Sequence, residues 1–76
     1  MIKVDKYYYY KQTTRDNIYE AVIKVVSLDA ANEEHFWGEA VTIIKNEVNW
    51  QKKDITLCFK DVVKEVTQEK DPEYFL

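Results

Sequence analysis

Apolar residues in this chain recur with the two-residue period of a strand more often than with the period of a helix. The stretch DITLCF, residues 54–59, alternates cleanly. Ile55, Leu57 and Phe59 share one phase, and Asp54, Thr56 and Cys58 share the other. Residues 2–12, rich in Ile, Val and Tyr, read as an opening strand. Within it Ile2, Val4, Tyr8 and Tyr10 form one phase, and Lys3, Asp5, Tyr7, Tyr9 and Lys11 form the other. The first set is the expected core face and the second the expected solvent face. Residues 17–28, NIYEAVIKVVSL, predict a long second strand. Ala21, Val22, Val25 and Val26 also have helical spacing, but the β-branched load favours the strand. FWGEAVTIIK (36–45) and VVKEV (62–66) complete a set of five.

The connections are polar: TTRDN (13–17), DAANEEH (29–35), NEVNWQKKD (46–54) and the pair Lys60–Asp61. In the tail Asp71 suits an N-cap, Pro72 the first helical position, and Glu73 the positive helix end. Such a turn would let Tyr74, Phe75 or Leu76 cover an open end of the sheet. Together these elements predict one mostly β domain over residues 1–76. The expected fold is a five-stranded antiparallel meander curling into an SH3-like or OB-like barrel, with a short C-terminal helical turn.

Composition narrows the function more than the fold. A chain of 76 residues buries only about 60 % of its unfolded surface, so its stability is thin. A lone cysteine, Cys58, excludes an intramolecular disulfide. No stretch approaches the ~20 apolar residues of a membrane span. A cytoplasmic protein with no membrane partner is the expectation. The net charge of −3 weighs against long nucleic acids, whose phosphates supply most non-specific affinity. Yet the first fifteen residues carry Lys3, Lys6, Lys11 and Arg15 against Asp5, so the basic end is also the tyrosine-rich end.

Catalytic parts are scarce. His35 is the single histidine, and nothing in the spacing joins it to Cys58, so a half-buried thiol and a surface histidine are expected. One Cys and one His do not make a structural zinc site. The acidic stretch 29–34 lacks the pattern of a calcium loop. With one glycine there is no phosphate-cradling loop. No enzyme activity, metal or cofactor is expected.

Binding remains. Tyr7 and Tyr9, flanked by Lys6, Lys11 and Arg15, form one candidate contact surface, because tyrosine joins large apolar area to a polar tip. Trp37 is a second candidate, since Phe36 and Trp37 point to opposite sides of their strand. Gly38 relieves crowding across the sheet or admits another backbone. Trp50 is expected to plug the barrel mouth. A protein partner is the leading expectation, with the acidic 29–34 loop as a further contact. The alternatives are a nucleotide-signal or single-strand binder stacking bases on the tyrosines, and one protomer of a symmetric homo-oligomer.

The order of features also carries a resemblance. A Tyr-rich opening strand followed by NIYEAVIKVV, FWGEAVTIIKN, NWQKKDI and a DPEYF tail resembles small uncharacterised β proteins encoded by bacteriophages and prophages. That resemblance implies an accessory or anti-defence role, exerted by binding a host effector or sequestering its nucleotide signal. It implies no role for any single residue.

Overall fold

The computed structural model describes residues 2–50, 52–53 and 55–75. Five strands form one antiparallel sheet: β1 (Tyr7–Thr14), β2 (Asn17–Leu28), β3 (His35–Asn46), β4 (Ile55–Cys58) and β5 (Val62–Val66). A 3-10 turn, Phe59–Asp61, joins β4 to β5, and a second, Pro72–Phe75, ends the described chain. Asp54, placed in the fourth strand by its alternation, lies outside the described residues, as do Gln51 and Leu76.

The strand order is β4-β3-β2-β1-β5. The first four strands form the expected meander, but β5 pairs with β1 rather than β4. The sheet is therefore not closed. It is strongly curled nonetheless. A flat sheet would hold its two edge strands about 19 Å apart at the usual inter-strand spacing. The chain from Cys58 to Val62 spans at most about 14 Å when extended. Curling is the only way one short turn can connect the two edges.

Four bulges supply the curl. The ladder skips Val63 between β1 and β5, Val41 and Ile44 on β3, and Val26 on β2. A bulge increases local twist and bends its strand. It also reverses the phase of every residue beyond it. All four skipped residues are β-branched, apolar and exposed.

The inner face holds the core: Tyr8, Tyr10, Tyr19, Ala21, Ile23, Val25, Phe36, Ala40 and Leu57. Tyr8 and Tyr10 fall where alternation places them. Tyr10 meets Tyr19 and Phe36 edge-on, at centroid distances of 6.1 and 6.4 Å. Trp50 closes one end against Tyr19 at 4.7 Å. Its backbone is pinned by both polar atoms of the Asn46 side chain, each at 3.0 Å.

The opening strand starts later than its composition suggests. Asp5 has φ of 69°, and the Lys6 N–H donates to the Lys3 carbonyl at 3.3 Å. This turn ends the extended run before it reaches Val4. Ile2 still packs against the core, whereas Val4 is exposed. At the far end β1 runs to Thr14, since only Arg15 and Asp16 are needed to turn the chain, Arg15 taking φ of 51°.

Candidate functional site

The outer face of the sheet differs most from expectation. Tyr7 and Tyr9 do point away from the core, as their phase requires, but they are half-buried rather than free. Phe75 meets Tyr7 edge-on at 5.3 Å, and Tyr74 lies over Tyr9 at 5.2 Å with a 31° tilt. The Tyr9 hydroxyl donates to the Glu20 carboxylate. The Lys64 ammonium sits 5.1 Å from the Tyr74 ring centre. Val22 lies opposite Tyr9 and Val66 opposite Tyr7, and both valines are fully buried on this outer face. The C-terminal turn thus covers a second apolar layer instead of an open end of the sheet.

The tail is placed by a closed turn. The Asp71 N–H donates to the Thr67 carbonyl at 2.7 Å, and the Thr67 N–H returns a bond to the Asp71 carboxylate at 3.2 Å. Asp71 was expected to cap a helix with its side chain. It locks this preceding turn instead, while its carbonyl accepts the Tyr74 N–H at 3.0 Å.

The basic residues grouped with the tyrosines separate. Lys11 stays on the outer face of β1, one alternate position beyond Tyr9 and opposite Glu20. Arg15 occupies the tip of the β1–β2 hairpin, and Lys6 precedes the strand at its other end. The fold therefore joins Tyr7, Tyr9 and Lys11 but spreads Lys6 and Arg15 to opposite ends.

Trp37 is 39 % exposed, with Phe36 buried behind it. It pairs with Ser27, between the exposed Val26 and Leu28 on β2. The adjoining acidic loop is ordered by two side-chain turns. The Asp29 carboxylate accepts from the Ala31 N–H at 3.0 Å, and the Asn32 side-chain oxygen from the Glu34 N–H at 2.9 Å. The exposed Trp37 ring and the carboxylates of Glu33 and Glu34 thus share one end of the β2–β3 hairpin, while Leu28, opposite Phe36, lies on the other face of the sheet.

His35 and Cys58, which no spacing connected, are cross-strand partners. The Phe59 N–H donates to the Glu34 carbonyl at 3.0 Å, which makes the next rung, His35–Cys58, a non-hydrogen-bonded pair with closer side chains. The two line a cleft of about 570 Å³ with Glu33, Glu34, Phe59 and Lys60. Burial pushes the Cys58 thiol above its ordinary range, Asp61 and Glu34 add to that, and Lys60 opposes it. A thiol held protonated is a weak nucleophile. Among the described residues no three of His, Cys, Asp and Glu converge to hold a metal ion, and no helix is long and apolar enough to cross a membrane.

The tyrosines set an alkaline limit on stability. Burial, then the Glu20 hydrogen bond, the Glu20 charge and the neighbouring Tyr74, push Tyr9 up to about 12. Burial alone brings Tyr19 to about 12, and Tyr10 moves the same way, chiefly by burial. Free phenols titrate near about 10. The folded chain thus keeps protons that the unfolded chain releases above that pH. Their stabilising effect is complete below about pH 10 and is lost as pH rises through the folded values. Urea midpoints should hold from about pH 9 to about pH 10 and then fall toward about pH 12, with tyrosinate absorbance appearing as the chain unfolds. A flat profile would contradict this burial pattern.

No protein-family model, curated protein or solved structure matches the chain.

Proposed function

We propose that this chain is a small non-enzymatic binding protein that acts by stoichiometric attachment to a protein partner. Its role would be that of a phage-type accessory or anti-defence protein in the host cytoplasm. The observation that carries the reading is the Trp37 end of the β2–β3 hairpin. There Trp37 stands exposed on the outer face beside a carboxylate-bearing loop. Tryptophan is enriched among residues that dominate binding energy, and a polar rim around an apolar centre is the usual interface anatomy. The fitting partner surface is an apolar recess bordered by Lys or Arg.

The nucleotide reading ranks second, because the rings of Tyr7 and Tyr9 already meet aromatic groups of the tail. A symmetric oligomer is supported by the edges of β4 and β5, each of which pairs with one strand only among the described residues. Strand order and the 3-10 turn between β4 and β5 support an SH3-like barrel, open along one seam, over the OB-like alternative.

Capture from host lysate tests the leading reading. The chain should retain a protein in near-equimolar amount, and Trp37→Ala should reduce capture at least about ten-fold, since hot-spot truncation costs 2 kcal/mol or more. The thermal midpoint should barely change, because surface substitutions have small effects on stability. Recovery of a nucleotide and no protein would reverse the ranking.

A further inference from the structure

We propose that His35 and Cys58 form a two-donor site for a soft monovalent metal ion of the copper(I) or silver(I) class. The site does not depend on the protein-binding reading.

The fold brings the two ligands together from separate strands. His35 and Cys58 are Cα partners across β3 and β4. The Phe59 N–H donates to the Glu34 carbonyl on the neighbouring rung. His35 and Cys58 therefore occupy a non-hydrogen-bonded rung, where directly opposed side chains leave the same face with Cβ atoms about 4.5–5.5 Å apart. Independently of the ladder, both side chains line one cleft of about 570 Å³. Both are half-buried, so an ion reaches them from solvent and sheds part of its water on arrival.

The donor set chooses the ion. A thiolate selects soft ions such as copper(I), and imidazole nitrogen suits copper as well. Among the described residues no three of His, Cys, Asp and Glu gather to hold a metal. Structural zinc takes four protein ligands and calcium six or more oxygens, so neither is satisfied here. A closed-shell monovalent ion is satisfied by two donors in line. Binding converts the Cys58 thiol and M⁺ into a sulfur–metal bond and a released proton, while neutral His35 supplies a ring-nitrogen lone pair. No oxidation state changes. The metal–thiolate unit is neutral, whereas a bare thiolate is the charged form that partial burial disfavours. Glu33 and Glu34 share the cleft with a single cation, Lys60, so the local field favours an incoming cation.

The test titrates the reduced full chain, without oxygen, with silver(I) and with copper(I) buffered by a competing chelator. One ion should bind per chain, releasing one proton and shifting the His35 ring resonances in NMR spectra. Cys58→Ser should abolish binding. His35→Ala should weaken it at least about ten-fold, since loss of even an outer-sphere partner costs about 10–100-fold in metal affinity. Zinc(II) should bind far more weakly than either monovalent ion.

Circular dichroism checks that the variants fold. If Cys58→Ser does not, the His35 ring shift in the unaltered chain reads the same contact without a substitution. Unchanged affinity in His35→Ala, or His35 resonances that stay still, would leave an adventitious ion only, held by the thiol, and overturn the proposal. Binding that survives Cys58→Ser would overturn it as well. One ion per two chains, with dimers appearing on metal addition, would make the second ligand another copy's thiol instead of His35. Zinc(II) binding as tight as silver(I) would show a third ligand and refute the two-donor assignment.

Discussion

Tyr10→Ser is expected to remove a large part of the chain's stability, leaving it marginally folded in dilute buffer at room temperature. Tyr10 is fully buried, and its ring packs edge-on against both Tyr19 and Phe36. Its hydroxyl accepts the Cys58 N–H at 3.2 Å and donates to the Gln12 side-chain oxygen at 3.2 Å. The bond to Cys58 matters for position as well as energy. It ties β1 to the end of β4 across the seam where no strand pairing exists. Truncating a buried aromatic costs about 3–5 kcal/mol. A chain this short has about 4–11 kcal/mol to lose. Tyr10→Phe separates the two contributions, because it keeps the ring and removes only the hydroxyl, at a cost of about 1–3 kcal/mol. Urea unfolding followed by circular dichroism would rank the variants as wild type, Tyr10→Phe, then Tyr10→Ser. A Tyr10→Ser midpoint close to wild type would mean that the tyrosine phases are exchanged.

Four of the five strands were legible because their signal is local. Residues 17–28 and 62–66 begin and end where β-branched density does, and residues 36–45 extend by one position at each end. The division of the tyrosine run was legible for the same reason, since alternation alone separates Tyr8 and Tyr10 from Tyr7 and Tyr9. Facing across the sheet was not. Each bulge shifts the phase, so Val62 and Val66 sit on opposite faces although they are four positions apart. No alternation count contains that reversal. The pairing of β5 with β1 is non-local, and the choice of edge depends on how far the sheet curls. Cys58 and His35 meet for a related reason: register between β3 and β4 decides which residues face each other, and register is a property of two strands together. The cover on Tyr7 and Tyr9 had a faint signal. An aromatic pair in an otherwise polar tail needs somewhere apolar to rest, and Val22, on the polar phase of its strand, marks the place.

Gly38→Val should be the most damaging change that adds rather than removes atoms. Gly38 is buried on the inner face of β3, opposite Val25. A Cβ there would overlap the Ile23 Cγ2 methyl, approach Leu57 Cδ1 to 2.9 Å and reach the Lys24 carbonyl oxygen at 3.4 Å. Ile23 and Leu57 are themselves fully buried, so neither can retreat toward solvent. Valine has a higher strand propensity than glycine, a gain of at most about 1 kcal/mol. Overpacking a close-packed interior costs typically about 1–3 kcal/mol and sometimes more. Three added carbons at a site with no room even for one place this variant at or beyond the upper end. The net result is a loss of about 2 kcal/mol or more. Gly38→Ala should fall between, because its single methyl still collides but the unfolded chain loses some freedom, which returns about 0.4–1 kcal/mol. A second substitution distinguishes crowding from a backbone effect. Leu57→Ala is itself destabilising, yet combined with Gly38→Val it opens volume where the new side chain needs it. The pair should therefore lose less than the two single losses added together, a coupling that neighbours in contact produce. Strict additivity in urea midpoints would show that valine fails at position 38 for some reason other than its contact with Leu57.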